Sequence, residues 1–257
     1  MAGARAPHQW EPGSSFLRAP EKGDGLSLPS PAAAARVYDR IYRGEGFGDS
    51  PRFYRWVMRL AAPAPGARIL DIGCGTGGAL AALRGAGCEA WGIDISRQAL
   101  LRARRAAPEA RLLLADGAHL PFCNGAFDLV LSLGNLEHFT DLEGGIREAR
   151  RVLSERGRAW LLLPNLFYSG TIWRVLRGGS GPDHHQPIDR FATKAEWAAL
   201  LEAGGLRVVR SFPYHKGKWW KRLLPAALAW HFLYETHRGE PSGAQALPPL
   251  ERVRRAD

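Results

Sequence analysis

One stretch constrains this chain more than any other: Ile69-Leu70-Asp71-Ile72-Gly73-Cys74-Gly75-Thr76-Gly77-Gly78. It reads as a short apolar strand running into a glycine-dense turn, and Ala79-Leu80-Ala81-Ala82-Leu83 behind it has the composition of a helix start. Glycine at such a turn lets the backbone approach a ligand and take up angles that side chains forbid. The helix that follows points its free N–H groups back at whatever sits on the turn. A nucleotide-like ligand suits that unit, but the glycines do not say which one, because Gly73, Gly75 and Gly78 also meet the GxGxxG spacing of dinucleotide sites.

Beyond Gly78, helical and strand-like segments alternate at a regular pace. Strands are expected over 69–72, 90–94, 112–115, 128–133 and 159–163, with helices near 78–84, 96–106 and 142–156. A last unit has Thr193 as N-cap with Glu196 in the capping-box position, a Gly204-Gly205 stop, and a strand from Leu206 to about Tyr214. This alternation is that of an α/β fold: a Rossmann-like three-layer sandwich with a mostly parallel sheet and helices on both faces. Ahead of it, Val37, Tyr38, Ile41 and Tyr42, then Phe53, Trp56, Val57 and Leu60, mark two amphipathic helices that form an N-terminal helical cap over 33–62.

The domain is expected to span 33–215. Residues 1–32, rich in proline, glycine, alanine and serine, read as a disordered extension, and 238–257 as a disordered tail. The stretch 166–191 is too long for a plain connection in a compact domain and is expected to be a substrate loop. The segment 216–237, with Trp219, Trp220, Leu223, Leu224, Leu228, Trp230, Phe232 and Leu233, is strongly apolar, is flanked by lysines and is interrupted by Pro225. It is expected to pack on the domain or lid it, and a peripheral membrane contact through 216–235 is the alternative. No clear seventh strand is visible.

Charge and cysteine usage narrow the partners. The formal net charge of +10 invites a nucleic-acid partner. That reading is disfavoured, because thirty arginines against five lysines, beside abundant alanine, glycine and proline, look like a compositional background rather than a built patch. Cys74, Cys88 and Cys123 are scattered without metal-ligand spacing, which fits a reduced, cytoplasmic protein. No stretch approaches the roughly twenty apolar residues needed to cross a bilayer. The oligomeric state stays open.

Asp71 separates the candidate ligands. A pyrophosphate on the turn would be repelled by a carboxylate placed just ahead of the first glycine, whereas the ammonium and sulfonium of S-adenosylmethionine would be attracted. Asp94, at the end of the second strand, is placed to accept from ribose hydroxyls in either cofactor class. Asp116, at the end of the third, could accept from an adenine amino group. Three acids at three successive strand ends make one ligand site at the carboxyl edge of the sheet.

With these residues in view, the sequence resembles the class I S-adenosylmethionine-dependent methyltransferases. Residues 69–77 look like their first motif, Gly92-Ile93-Asp94 their second and Ala115-Asp116-Gly117 their third. Phe127-Asp128-Leu129-Val130-Leu131-Ser132 followed by Leu136-Glu137-His138 is similar to the fourth, and 148–157 to the helix and turn after it. The resemblance covers about 36–214. It implies methyl transfer from S-adenosylmethionine to a small-molecule acceptor, with Gly73, Cys74 and Gly75 against the cofactor, Asp71 at its methionine end, Asp94 and Ile95 at its ribose, and Asp116 and Gly117 at its adenine. Ser132 and Leu133 would line the mouth, and Tyr38 and Tyr42 would fold over the cofactor.

Such a transfer is an in-line displacement, so the protein chiefly positions the reactants. A general base is needed only for an acceptor that is protonated at neutral pH, and the candidates are His138 and, in the long loop, His184 or His185. Leu136-Glu137-His138 is also similar to quinone-pathway O-methyltransferases, some of which hold a divalent metal there. Gly134 stands where their earlier acid would be, so no metal is expected. Ser132-Leu133-Gly134-Asn135 in place of an Asn-Pro-Pro-Tyr type tetrapeptide disfavours exocyclic base amines as acceptors. An apolar or quinone-like acceptor fits best; RNA methylation and a NAD-dependent oxidoreductase on a similar fold are the alternatives.

Overall fold

The computed structural model describes residues 29–179, 186, 188–217 and 219–240. The expectations for 1–28, for His184 and His185 and for 241–257 lie outside the described residues. A serine followed by a proline starts each of the first two helices. Ser30 accepts from the Ala33 amide as α1 (Pro31–Arg43) begins, and Ser50 does the same for Phe53 in α2 (Pro51–Ala61). The helical cap thus begins at Pro31, two residues before the expected boundary, because Ser30-Pro31 is a start signal and not part of a loose extension.

The chain continues through β1 (Arg68–Ile72), α3 (Gly78–Ala82), β2 (Glu89–Asp94), α4 (Arg97–Ala106), β3 (Arg111–Leu114) and β4 (Phe127–Leu133). After a 3-10 turn at Leu136–His138 come α5 (Leu142–Val152), β5 (Leu153–Pro164), α6 (Ser169–Leu176), α7 (Lys194–Ala203) and β6 (Leu206–Tyr214). Two further 3-10 turns, Trp219–Leu223 and Ala226–Leu228, lead into β7 (His231–Arg238). Both halves of the Thr193–Glu196 capping box are present at the start of α7.

The seven strands form one sheet in the order β3-β2-β1-β4-β5-β7-β6, and only β7 runs antiparallel to its neighbours. Alternation along the strands sends successive side chains to opposite faces. Leu70, Ile72, Val130, Leu161 and Leu163 pack with Ile146 and Val152 of α5 and Trp197 and Leu200 of α7. Ile69, Leu129, Leu131, Trp160 and Leu162 pack with Phe53, Val57 and Ala61 of α2 and with Ala79 and Leu83 beneath the glycine turn. Both faces are covered, which is why the central strands read as unbroken apolar runs.

The boundary expected at 215 is corrected by β7. Residues 231–238 do not lid the domain or pack on its edge; they are a strand inside the sheet, paired with β5 over seven positions and with β6 on the other side. The strand was hidden because His231, Glu235, Thr236 and His237 break an alternating apolar pattern. Those polar groups have partners there: buried Glu235 takes Arg210 at 2.7 Å and Arg158 at 3.6 Å, and Thr236 Oγ1 donates to Ala159 O. Within the expected loop 166–191 the described residues include α6, and a bridge between Asn165 and Ala192 joins the residues that flank it.

A chain ended after His215 would leave β6 without its strand partner, open one edge of β5 and uncover Trp160 and Leu162. It should show no cooperative unfolding transition in urea, whereas the full chain should; a cooperative transition in the shortened chain would contradict the placement of β7.

Candidate active site

The parallel order of β3, β2, β1 and β4 brings the carboxyl ends of four strands to one edge, where a cavity of about 700 Å³ opens. The glycine turn forms part of its wall. Gly73 and Gly75 have φ of +68° and +53°, and a Cβ on Gly73 would come within 2.6 Å of the Asn135 side chain. The turn is tied to β2 by the Cys74 amide, which donates to Ile93 O at 2.8 Å, and to the Asp94 carboxylate by the Gly75 amide at 2.9 Å. The second Asp94 oxygen accepts from the Ser96 amide at 2.8 Å.

Two acids are therefore buried side by side under this turn. Burial pushes the Asp94 carboxyl up to about 6, against the lowering pull of the Ser96 and Gly75 amides. Asp71 is 3% exposed, and burial followed by the charge of Asp94 pushes it up to about 8. No hydrogen bond or ion pair from another side chain reaches Asp71 among the described residues, and neither acid has a Lys or Arg partner there. These two desolvated acids, with no Lys or Arg beside them among the described residues, form a floor that a cation would complete.

The structure brings most of the expected residues together around it. Tyr38, Tyr42, Gly73, Cys74, Gly75, Asp94, Ile95, Asp116, Gly117, Leu133 and His138 line the cavity. Tyr42 lies over the turn, its hydroxyl 3.0 Å from where a Gly75 Cβ would be. Asp116 accepts from the Ala118 amide at 3.0 Å and meets His119 at 3.3 Å. Asp71 and Ser132 are not among the lining residues. Asp71 lies beneath the turn, and Ser132 is 1% exposed with its hydroxyl donating to Asn135 Oδ1 at 2.6 Å. Asn135 in turn donates to Ile72 O at 2.7 Å, so Ser132 braces the turn from behind.

At the far end of the cavity stand ionisable groups from three segments. His138 has both ring nitrogens engaged: Nδ1 lies 2.6 Å from Ile188 O and 3.1 Å from Asp189, and Nε2 lies 2.7 Å from the Gln186 amide. Burial works against its charged form, yet Glu137 and Asp189 carry its pKa above the ordinary histidine value. Tyr38 closes the chain by donating to Gln186 Oε1 at 3.0 Å. Glu137 is 3% exposed and burial pushes its pKa up, while His138 pulls the other way. Its Oε1 lies 3.6 Å from His138 and 4.0 Å from His231, and its Oε2 has no partner. His231 is pushed down to about 3 by burial, Lys216 and His138, against the pull of the Trp230 backbone, and among the described residues its buried Nδ1 makes no well-formed hydrogen bond.

Sequence reasoning passed over several of these residues. Glu137 was read only as a metal-site neighbour, although its place beside His138 at the end of β4 was the available signal. His231 and Asn165 gave none, since they reach the cavity only because β7 re-enters the sheet. Asn165 Nδ2 donates to Ala227 O and Ala229 O and fixes that re-entry. Asp39 of α1 accepts from Ser96 Oγ at 2.7 Å and from the Gln98 amide at 3.1 Å, which docks the helical cap on α4. Among the described residues no group of three or more His, Cys, Asp or Glu could hold a metal ion, and no helix is long and apolar enough to cross a membrane.

Comparison with known proteins bears on the chemistry. Residues 70–161 match the family model described as a methyltransferase domain. The demethylmenaquinone methyltransferase of Thermus thermophilus is 38% identical over 194 residues, covering 66% of this chain and 88% of that protein. Solved structures share the fold. Magnesium protoporphyrin IX methyltransferase from Synechocystis, with bound S-adenosylhomocysteine, aligns with a TM-score of 0.57 at 19% identity over 80% of this chain and 95% of that one. The [4+2]-cyclase SpnF gives 0.62 at 18% over 83% and 98%, a sign that fold alone does not dictate the reaction. The sequence relationship, the glycine turn and the carboxylate floor agree, and the chain belongs to the methyltransferase-domain family as a class I S-adenosylmethionine-dependent methyltransferase.

Proposed function

We propose that the enzyme methylates a hydroxyl oxygen of a small, largely apolar molecule. The observation that carries this reading is Glu137, a buried acid that lines the cavity together with Tyr168, Phe191 and Trp230 and has one carboxylate oxygen without a hydrogen-bond partner among the described residues. A quinol or phenol presents what such a wall lacks, an O–H donor on an apolar ring. The relationship to a demethylmenaquinone methyltransferase supports the same class of acceptor.

The residues fit the cofactor. Asp71 and Asp94 are desolvated acids without a cationic partner, which favours a ligand bearing an ammonium. Asp94, Ile95, Asp116 and Gly117 follow along the same wall toward β3, where ribose and adenine would be held, and Tyr38 and Tyr42 cover the turn. When bound, S-adenosylmethionine supplies a methyl group on a positively charged sulfur. The acceptor oxygen then needs alignment and relief of its proton.

Glu137 would take that proton on its carboxylate as the methyl group passes to the acceptor oxygen. His231, which lines the same cavity with Nε2 4.0 Å from Glu137, would orient the hydroxyl. His138 is a positioning residue in this scheme, since its nitrogens hold Gln186 and Ile188 in place. Arg190 supports the turn by donating to Glu137 O at 3.0 Å and Phe139 O at 2.7 Å.

Two predictions follow from these roles. Isothermal titration should show S-adenosylhomocysteine binding to the wild type and weakening of at least about tenfold in Asp94→Asn with the melting temperature little changed; an intact wild-type protein that does not bind would refute the cofactor assignment. Glu137→Gln should leave that binding within about twofold yet lower kcat by about 10²–10⁴, with labelled methyl otherwise appearing in the solvent-extractable fraction of a metabolite extract. Label confined to RNA would overturn the small-molecule reading.

A further inference from the structure

Helix α6 stands at the mouth of the cavity and divides its residues between two environments. Gly170, Thr171 and Arg174 line the cavity, while Trp173 and Leu176 face solvent at 57% and 75% exposure. None of its residues is buried, which is unusual for so apolar a helix. The 3-10 turn at Trp219–Leu223 lies beside it, because Lys221 Nζ donates to Tyr168 Oη at 3.1 Å, and it adds Trp220 and Leu223 at 46% and 77% exposure. Phe167, also exposed, extends the same patch.

The two segments that carry this patch are basic in sequence, and Lys216 is paired with Asp49 at 3.5 Å. Residues 166–179 and 215–230 together hold Arg174, Arg177, Lys216, Lys218, Lys221 and Arg222, and no Asp or Glu. Arg177 lies over the Trp173 ring at 4.3 Å, and Lys216 over Trp230 at 4.4 Å. Exposed tryptophan and leucine interleaved with lysine and arginine, without acids, match the boundary of an anionic bilayer, where the rings enter the headgroup layer and the cations meet the phosphates. A second copy docked through the same face would meet these cations with its own.

We propose that α6 and the Trp219–Leu223 turn dock on an anionic lipid surface, so that the cavity mouth opens toward the bilayer and takes its acceptor from there. The proposal rests on the apolar-acceptor reading for its purpose, but its test does not. The full chain should co-sediment with phosphatidylcholine vesicles containing about one third phosphatidylglycerol, at least about tenfold more than with phosphatidylcholine alone, and less as salt is raised. The triple variant Trp173→Ser, Leu176→Ser, Leu223→Ser should lose about tenfold of that partitioning while binding S-adenosylhomocysteine as the wild type does.

No partitioning into anionic vesicles, or equal partitioning of wild type and triple variant, would overturn the docking and leave the methyl-transfer reading intact. A wild-type dimer in light scattering that the triple variant converts to monomer, without vesicle binding by either, would assign the face to a second copy and overturn it too. Vesicle binding by a chain that does not bind S-adenosylhomocysteine would refute the cofactor reading and spare the docking.

Discussion

Two carboxylates held out of water under a glycine turn are the constraint on which this site depends. Asp71 and Asp94 end adjacent parallel strands paired in register, Ile72 opposite Ile93, so their closeness is a consequence of the sheet. Desolvating one acid is costly, and placing a second beside it costs more. The fold offsets part of this with the Gly75 and Ser96 amides on Asp94 and leaves Asp71 without a partner. A protein that keeps such a pair holds the space for a cation, and the cofactor of its family brings one. The tyrosines of α1 and the Asp39 bond to Ser96 close the cap over the same spot, so the helical cap belongs to the site as much as to the fold.

The opposite end of the cavity follows a different logic. There burial separates neighbouring groups by charge state: His138 is drawn toward the cation by Glu137 and Asp189, while His231 is kept neutral by burial and nearby positive charge. Glu137 between them retains an oxygen without a hydrogen-bond partner among the described residues. Groups whose environments push their protonation apart are the usual mark of proton-handling sites. In the proposed reading the cofactor end attracts charge and the acceptor end moves a proton.

How much of this was legible in the sequence depended on whether the signal was local. The glycine turn, the acids at strand ends, the capping box at Thr193 and the alternation of strands are short-range patterns, and the corresponding elements are present, except that the helix expected over 142–156 stops at Val152 and the chain enters β5 at Leu153, ahead of the expected strand 159–163. What escaped depended on long-range pairing. The strand β7 is formed by polar-interrupted sequence whose buried Glu235 becomes tolerable only beside Arg210 and Arg158. His231 and Asn165 enter the site only through that pairing, and Ser132 turned from a lining residue into a brace because Asn135 stands between it and the turn. Local pattern fixes which end of a strand points at the ligand; side-chain partners across the sheet decide which residues reach it.

The most direct test of the account is the proton balance of cofactor binding. With its carboxyl raised to about 8, Asp71 is protonated in the free enzyme at pH 7, and an ammonium placed beside it lowers that pKa and expels the proton. Titrating S-adenosylhomocysteine at pH 7 in buffers of different ionisation enthalpy should therefore report release of close to one proton per site, abolished in Asp71→Asn and fading as the pH is raised past 8. Binding without proton release, or with the same release in Asp71→Asn, would contradict the claim that this buried acid is the cofactor's counter-charge.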